Sequence, residues 1–325
     1  MDLSGATILL TGGTGSFGHA FVERIVTTFP DTTVRVFSRD ELKQSEMQRR
    51  YDTNQVRWML GDVRNRSRMT RAVQGCDFVV HAAAMKQVPA CEYNPFESVQ
   101  TNILGAQHVV DAAIDSGVRK VVALSTDKAV NPVNTYGATK LAAEKIFVQG
   151  NAYAQGTETA LACVRYGNVV GSRGSVVPAF RRQAEENGVL TITDPRMTRF
   201  WITLEQAVDL VLTAIDESVG GEIFVPKIPS MRVTDLAEAI APGVPHEHVG
   251  IRPGEKLHET LLTAEEARNT VDNGRNYVVL PQIAFWSGLE ERWADAKPVD
   301  EGFEYASHTN DEWLSVDDLK ALIDS

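Results

Sequence analysis

Ala6-Thr7-Ile8-Leu9-Leu10-Thr11-Gly12-Gly13-Thr14-Gly15-Ser16-Phe17-Gly18 is the stretch on which the fold turns. Its apolar run, Ala6–Leu10, reads as a strand, and a helical pattern follows from Ala20 to Thr27. Between them Gly12, Gly15 and Gly18 keep a G-x-x-G-x-x-G spacing. Such a turn lets the backbone approach a pyrophosphate and aims a helix N-terminus at it. Thr14, Ser16 and Phe17 belong to the same turn and are expected against the same dinucleotide. A glycine turn that merely packs strand on helix is the plainer alternative; its place between the first strand and the first helix counts against that.

Downstream the alternation continues. Strands are expected at Thr33–Phe37, Val56–Leu60, Phe78–His81, Lys120–Leu124 and Thr157–Arg165, with helices from Thr101 to Ala113 and from Ala138 onward. Alternating strands and helices require a parallel sheet covered on both faces, so the predicted class is a doubly wound α/β fold. Its site should lie at the C-terminal ends of the strands. Past Gly171 the elements shorten. Ser172–Pro178 reads as loop, Phe180–Glu186 as a short helix, and Val189–Thr193 and Arg196–Thr203 as short strands. A helix, Leu204–Ile215, and a strand, Gly221–Pro226, are expected to rejoin the main sheet. Further short helices are expected at Thr234–Ile240, Glu255–Leu262 and Val316–Ile323. The predicted division is a dinucleotide-binding domain, 1–170 plus about 204–226, and a smaller lobe, about 171–203 and 227–325.

The chain of 325 residues has 43% hydrophobic and 23% charged residues, ordinary values for an enzyme. Its net charge of −11 argues against nonspecific nucleic-acid binding, which needs a basic surface. Apolar runs fall short of the ~20 residues of a membrane helix. Met1-Asp2-Leu3 leads directly into a strand without a signal-peptide pattern, which makes the cytoplasm the expected location. Cys76, Cys91 and Cys163 have no metal-like spacing, so no metal site is expected, and their odd, sparse count fits a reducing compartment.

The second strand ends in Phe37-Ser38-Arg39-Asp40, with Lys43 close behind. An acidic residue at that strand end holds a ribose 2′-hydroxyl in NAD sites. Here Ser38, Arg39 and Lys43 suit a 2′-phosphate instead, so NADP is expected over NAD. Asp62 either accepts from the adenine amino group, with Val63 against the ring, or caps the next helix. Ala82 and Ala83 are small enough for a ribose or nicotinamide to come close. Lys86 is either a site residue or a loop lysine, and Asn102 either bonds a neighbouring loop or lies at the surface.

Ser125 to Lys140 carries the chemistry. Tyr136-x-x-x-Lys140 puts a phenol and an ammonium on one helix face, about 6 Å apart along the axis. A cation beside a phenol lowers its pKa. A phenol so tuned can take a proton from a sugar hydroxyl as a hydride leaves the same carbon. Asp127-Lys128 adds a second acid/base pair. Arg199, and Arg252 with Lys256, are candidates for a diphosphate, because a guanidinium fork bonds two oxygens at once. A salt-bridged arginine is the plainer reading of each.

The glycine turn, Tyr136-x-x-x-Lys140 and Arg165-Tyr166-Gly167-Asn168 together resemble the extended short-chain dehydrogenase/reductases acting on nucleotide sugars. Ala84–Pro89 (AMKQVP), Ser125–Ala129 (STDKA), Asn168–Pro178 (NVVGSRGSVVP), Met197–Thr203 (MTRFWIT), Gly221–Ser230 (GEIFVPKIPS) and Arg252–Glu259 (RPGEKLHE) narrow this further. They resemble the inverting UDP-N-acetylglucosamine 4,6-dehydratases of pseudaminic-acid biosynthesis, a route used to glycosylate flagellin. The resemblance runs through Trp313, and Asp127-Lys128 stands where the retaining dehydratases have Asp-Glu.

That resemblance implies a lyase: oxidation at C4 with NADP as hydride carrier, loss of water from C5 and C6, and hydride return to C6. The implied product is UDP-2-acetamido-2,6-dideoxy-β-L-arabino-hex-4-ulose. Tyr136 would take the O4 proton. Lys140 would keep Tyr136 acidic and hold the nicotinamide ribose, and Thr126 or Ser125 would bond O4. Lys128 would be the C5 base, its pKa depressed by burial and by nearby cations, and Asp127 the acid at C6. Lys86, Asn168, Val177, Arg199, Arg252 and Glu255 would contact the UDP-sugar. A homo-oligomer, dimer or hexamer, is also implied. The alternatives are a UDP-sugar 4-epimerase or C5-epimerase of a related pathway, and a non-catalytic NADP-binding regulator. A 4-epimerase has no use for an acid/base pair at C5 and C6, and a regulator has no use for the phenol.

Overall fold

The computed structural model describes residues 2–51, 54–171 and 176–324. Strands β1 (Thr7–Thr11), β2 (Thr33–Ser38), β3 (Val56–Leu60), β4 (Phe78–His81), β5 (Lys120–Thr126) and β6 (Ala160–Tyr166) form the parallel centre of a ten-stranded sheet. Short strands β7 (Asn168–Val169), β8 (Leu190–Ile192) and β9 (Thr198–Ile202) lie outside it, and β10 (Ile223–Pro226) rejoins it parallel to β6. The order β3-β2-β1-β4-β5-β6-β10 reverses direction between β1 and β4, which opens a crevice above their C-terminal ends.

The sequence explains this arrangement. β1, β4 and β6 are buried almost throughout, as strands covered on both faces must be, and they read as continuous apolar runs. One core runs through the whole sheet and takes in Ile8, Leu10, Val36, Val80, Val122, Leu161 and Phe224. A smaller core joins Val177 and Trp201 to Met231, Leu236 and Leu319.

Several expectations need correction. Strands Thr270–Asp272, Asn276–Val279 and Lys297–Pro298 add antiparallel to the β10 edge, so the main sheet takes in segments assigned from sequence to the smaller lobe. Glu255–Leu262 is not a helix: it runs irregularly into a strand, Thr260–Leu262, paired with Tyr305–Ala306. Pro253-Gly254 breaks the chain just before it, with Gly254 at φ 80. The helix expected from Thr101 begins earlier, as a π-helical turn, Val99–Leu104, before Gly105–Asp115. The helix expected at Phe180 starts at Val176; residues 172–175 of the expected loop lie outside the described residues.

Arg165, at the end of β6, is fully buried. Its Nη2 lies 2.6 Å from Glu144 on helix Thr135–Gly150 and 2.8 Å from Glu266. Its Nη1 donates to the Leu261 carbonyl at 2.8 Å. This one side chain thus ties the 261–266 segment to the sheet. Buried charges are tolerated only when paired, so Arg165→Met is expected to cost about 3–5 kcal/mol of stability by stranding two carboxylates. Denaturant unfolding measures it; an unchanged midpoint would show that the Arg165 tie adds no stability.

Candidate active site

The C-terminal strand ends open onto a cavity of about 560 Å³. Gly12, Thr14, Gly15, Ser16, Phe17 and Gly18 line one end, with Ser38, Arg39, Lys43, Asp62, Val63, Ala82 and Ala83. Gly12 has φ 67, and a Cβ there would stand 2.8 Å from the Ala83 backbone. A Cβ on Gly18 would stand 2.1 Å from the Gly13 carbonyl oxygen. The turn therefore admits no side chains at these positions. Gly15 begins helix Ser16–Thr28 without a side-chain cap, which leaves backbone N–H groups to serve an anion.

At the ribose end, Asp40 is engaged as the cap of helix Glu41–Arg50, accepting from the Lys43 backbone at 3.0 Å. Ser38 accepts from Gln44 at 3.0 Å. Asp62 does not cap the next helix; Asn65 does, accepting from the Arg68 backbone at 3.0 Å. Asp62 is gripped by Arg64 through Nε at 2.9 Å and Nη2 at 2.7 Å. Burial opposes the Asp62 carboxylate, but the Arg64 bonds outweigh it and hold its pKa below the usual value.

Asn102 is a buried bonder, which settles the choice left by its sequence. Its side chain accepts from the Met85 backbone at 2.8 Å and donates to the Met85 carbonyl at 2.9 Å and to Thr139 at 2.9 Å. The π-helical turn presents it, and the bonds fix the loop bearing Ala82, Ala83 and Lys86. Lys86 lines the cavity from an exposed position.

The other end is built by β5 and helix Thr135–Gly150. Asn134 caps that helix, accepting from Gly137 at 2.7 Å. A Cβ on Gly137 would stand 2.1 Å from the Lys128 carbonyl, so helix and turn pack backbone to backbone. Thr126, Lys128, Tyr136, Lys140 and Asn168 all line the cavity. Thr126 donates to Asp127 at 2.8 Å and lies near enough to the Tyr136 phenol to pull its pKa down. Ser125 is engaged elsewhere, donating to Glu144 at 2.7 Å, which leaves Thr126 as the hydroxyl of the pair that lies beside Tyr136. Burial pushes the Tyr136 pKa up to about 12, against the pull of Lys128 and Thr126. The cation acting on Tyr136 is thus Lys128 rather than the expected Lys140. Lys140 is itself pushed below the usual lysine value by burial and donates to the Leu124 carbonyl at 2.6 Å.

Lys128 also departs from expectation. Its Nζ lies 3.1 Å from Asp127 and 3.3 Å from Glu259. Burial opposes its charge, but the two carboxylates outweigh burial and hold its pKa above the ordinary lysine value. The resting group is an ammonium. Asp127 is wholly buried behind the cavity wall, and burial raises its pKa despite Lys128. Its Oδ2 has no hydrogen-bond partner among the described residues.

Glu259 was missed in the sequence reading, although it closes the quoted Arg252–Glu259 stretch; a carboxylate is unremarkable until folding buries it. The arginines are used differently from expectation. Arg199 donates to the carbonyls of Thr198, Leu257 and Lys256 at 2.7, 3.0 and 3.0 Å, so its fork is spent on backbone. It does not line the cavity, nor do Arg252, Glu255 or Val177. Arg252 is exposed, with its Nη1 3.8 Å from Glu255, and Val177 is buried in the smaller core. Trp201, unassigned from sequence, does line the cavity. The Trp201 indole nitrogen and Asn168 Oδ1 are buried without partners among the described residues.

A glycine-turn dinucleotide cradle joined to a Tyr-x-x-x-Lys helix defines the extended short-chain dehydrogenase/reductase class. Within it, the chain belongs to the polysaccharide biosynthesis protein family, whose model matches residues 8–281. A Campylobacter jejuni subsp. jejuni protein named UDP-N-acetylglucosamine 4,6-dehydratase (inverting) is 47% identical over 326 residues, 98% of each chain. A Rickettsia conorii protein named UDP-glucose 4-epimerase is 40% identical over 98% of this chain and 95% of its own. Among solved structures, Pen from Bacillus thuringiensis superposes with a TM-score of 0.90 at 38% identity, covering 99% of this chain and 98% of its own. A DesIV double mutant (dTDP-glucose 4,6-dehydratase) from Streptomyces venezuelae shares the fold, with a TM-score of 0.68 at 22% identity, covering 77% and 86%.

Gly12→Ala is expected to abolish binding of a reduced nicotinamide dinucleotide, seen as loss of the fluorescence change on titration. Retained binding would show that the Gly12–Ala83 approach is not part of the dinucleotide cradle.

Proposed function

We propose that the protein is an NADP-dependent lyase, a UDP-N-acetylglucosamine 4,6-dehydratase that inverts C5. The observation that carries this reading is Lys128, paired with the buried Asp127, sharing one cavity with Tyr136, in a chain 47% identical to a relative of that name. The glycine cradle fits a dinucleotide, since side chains at Gly12 and Gly18 would collide with backbone. Arg39 and Lys43 at the ribose end favour NADP over NAD. When bound there, the nicotinamide supplies a hydride acceptor for C4 and returns the hydride to C6.

The chain's own residues handle the protons. Tyr136 takes the O4 proton with Thr126 orienting that hydroxyl, and the Lys128 ammonium steadies the phenolate. The C4 ketone then acidifies the C5 hydrogen. One proton passed from Lys128 to the Asp127 carboxylate across their 3.1 Å contact leaves an amine and a carboxylic acid. The amine takes the C5 proton. The acid protonates the departing C6 hydroxyl through Thr126, which bonds Asp127 at 2.8 Å, so water leaves. Once C6 has its hydride, the enolate takes a proton from solvent at C5 on the face opposite Lys128, which inverts that carbon. Lys86 and Asn168 border the sugar from the cavity wall, and the smaller lobe covers the nucleotide. We place the enzyme in the cytoplasm, as a homo-oligomer, dimer or hexamer, opening a pseudaminic-acid-type route to flagellin glycosylation.

The test is incubation with UDP-N-acetylglucosamine in D₂O, followed by proton NMR. A 6-methyl signal, deuterium at C5 and L-arabino couplings are expected. A methyl signal with the original C5 configuration would overturn inversion, and loss of C4 configuration without a methyl signal would favour the epimerase. Tyr136→Phe is expected to lower turnover by about 10²–10⁴-fold, the range of a lost general base. Near-normal turnover in that variant would give the O4 proton to another group.

A further inference from the structure

Glu259 belongs to the segment that approaches the catalytic turn from the smaller lobe. Its backbone is pinned on both sides by Ser307: its N–H donates to Ser307 Oγ at 3.0 Å, and its carbonyl accepts from the Ser307 N–H at 2.8 Å. The side chain is buried, with Oε1 3.3 Å from Lys128 and 3.9 Å from Arg199, and Oε2 3.5 Å from Lys256. Lys256 in turn donates to the Val130 carbonyl at 2.5 Å and the Asp127 carbonyl at 3.5 Å. The segment therefore grips the catalytic turn by its backbone and its one ammonium together.

We propose that Glu259 is the positioning residue of the Asp127–Lys128 pair, fixing the Lys128 amino group at the cavity wall and governing when it releases its proton. The inference rests on the dehydratase reading. The charged and titratable groups around Lys128 are Asp127 on its own turn, Tyr136 on the following helix, Arg199 on β9, and Glu259 on the gripping segment, with Lys256 paired to the other oxygen of Glu259. A carboxylate this close favours the ammonium by about 1–3 pH units, and a nearby cation opposes it. The pair works with one proton shared between Lys128 and Asp127, so turnover rises with pH as the doubly protonated pair gives up its first proton, at a pKa set by the charges around it. Removing the Glu259 charge moves that rise to lower pH. Removing the Lys256 charge moves it to higher pH. A purely structural role gives no movements of opposite sign.

The experiment compares the full-length protein with Glu259→Gln, Glu259→Asp and Lys256→Met. Two readouts are taken across pH: the rate of 6-methyl product from UDP-N-acetylglucosamine, and acetylation of Lys128 by acetic anhydride, followed by mass spectrometry. Lys128 is 27% exposed at its side chain, open enough to be labelled. In both readouts Glu259→Gln is expected to shift the rise acidward by about one unit or more. Lys256→Met shifts it alkaline, and Glu259→Asp restores the original position. Rises that coincide, or that move in the same direction in Glu259→Gln and Lys256→Met, overturn the proposal. Should Glu259→Gln fail to fold, Lys256→Met and Glu259→Asp decide it. Labelling shifts without methyl product sustain the control of the proton while the dehydratase reading fails. Methyl product without labelling shifts does the reverse.

Discussion

A lysine held between two buried carboxylates is the constraint on which the site depends. Lys128 cannot keep its charge at the cavity wall unless Asp127 and Glu259 both stay beside it. Glu259 is likewise tolerable only with Lys128, Lys256 and Arg199 around it, which outweigh the cost of its burial and hold its pKa below the usual value. Five charges from three stretches of chain thus need one another. The short segment Lys256–Glu259 has to lie over the Asp127–Val130 turn, and the smaller lobe is held to the sheet through it.

A second buried ion group works in parallel. Arg165 between Glu144 and Glu266 anchors the chain just beyond that segment. The same Glu144 accepts from Ser125. This divides two adjacent hydroxyls: Ser125 belongs to the scaffold, and Thr126 stays with Asp127 and Tyr136. His81 shows what an unpaired titratable group does in the same core. Burial and the nearby Lys140 push its pKa down to about 3, so it stays neutral and bonds Thr11 at 2.8 Å.

Features set by local geometry were legible in the sequence. The glycine turn could be read because steric demands at Gly12 and Gly18 leave no other residue. The Tyr136–Lys140 spacing could be read because helical periodicity puts both on one face. Arg199 could not be read: its five donors suit a phosphate as well as three carbonyls, and only the path of residues 256–257 makes the choice. Glu255–Leu262 has helix-forming composition, yet Ser307 and Tyr305–Ala306 draw it into extended pairing. The proton state of Lys128 was misjudged because Glu259 lies far away along the chain.

The sequence by itself determined the parallel sheet, the dinucleotide turn and the one-face placement of Tyr136 and Lys140, since each follows from short-range periodicity and backbone sterics. Tertiary structure alone decided which of those residues face the cavity and which are spent on scaffold. It also set the charge each one carries there. Those properties depend on burial and on partners brought from distant segments, and electrostatic pairing in a dry interior acts over a few ångströms of space whatever the separation along the chain.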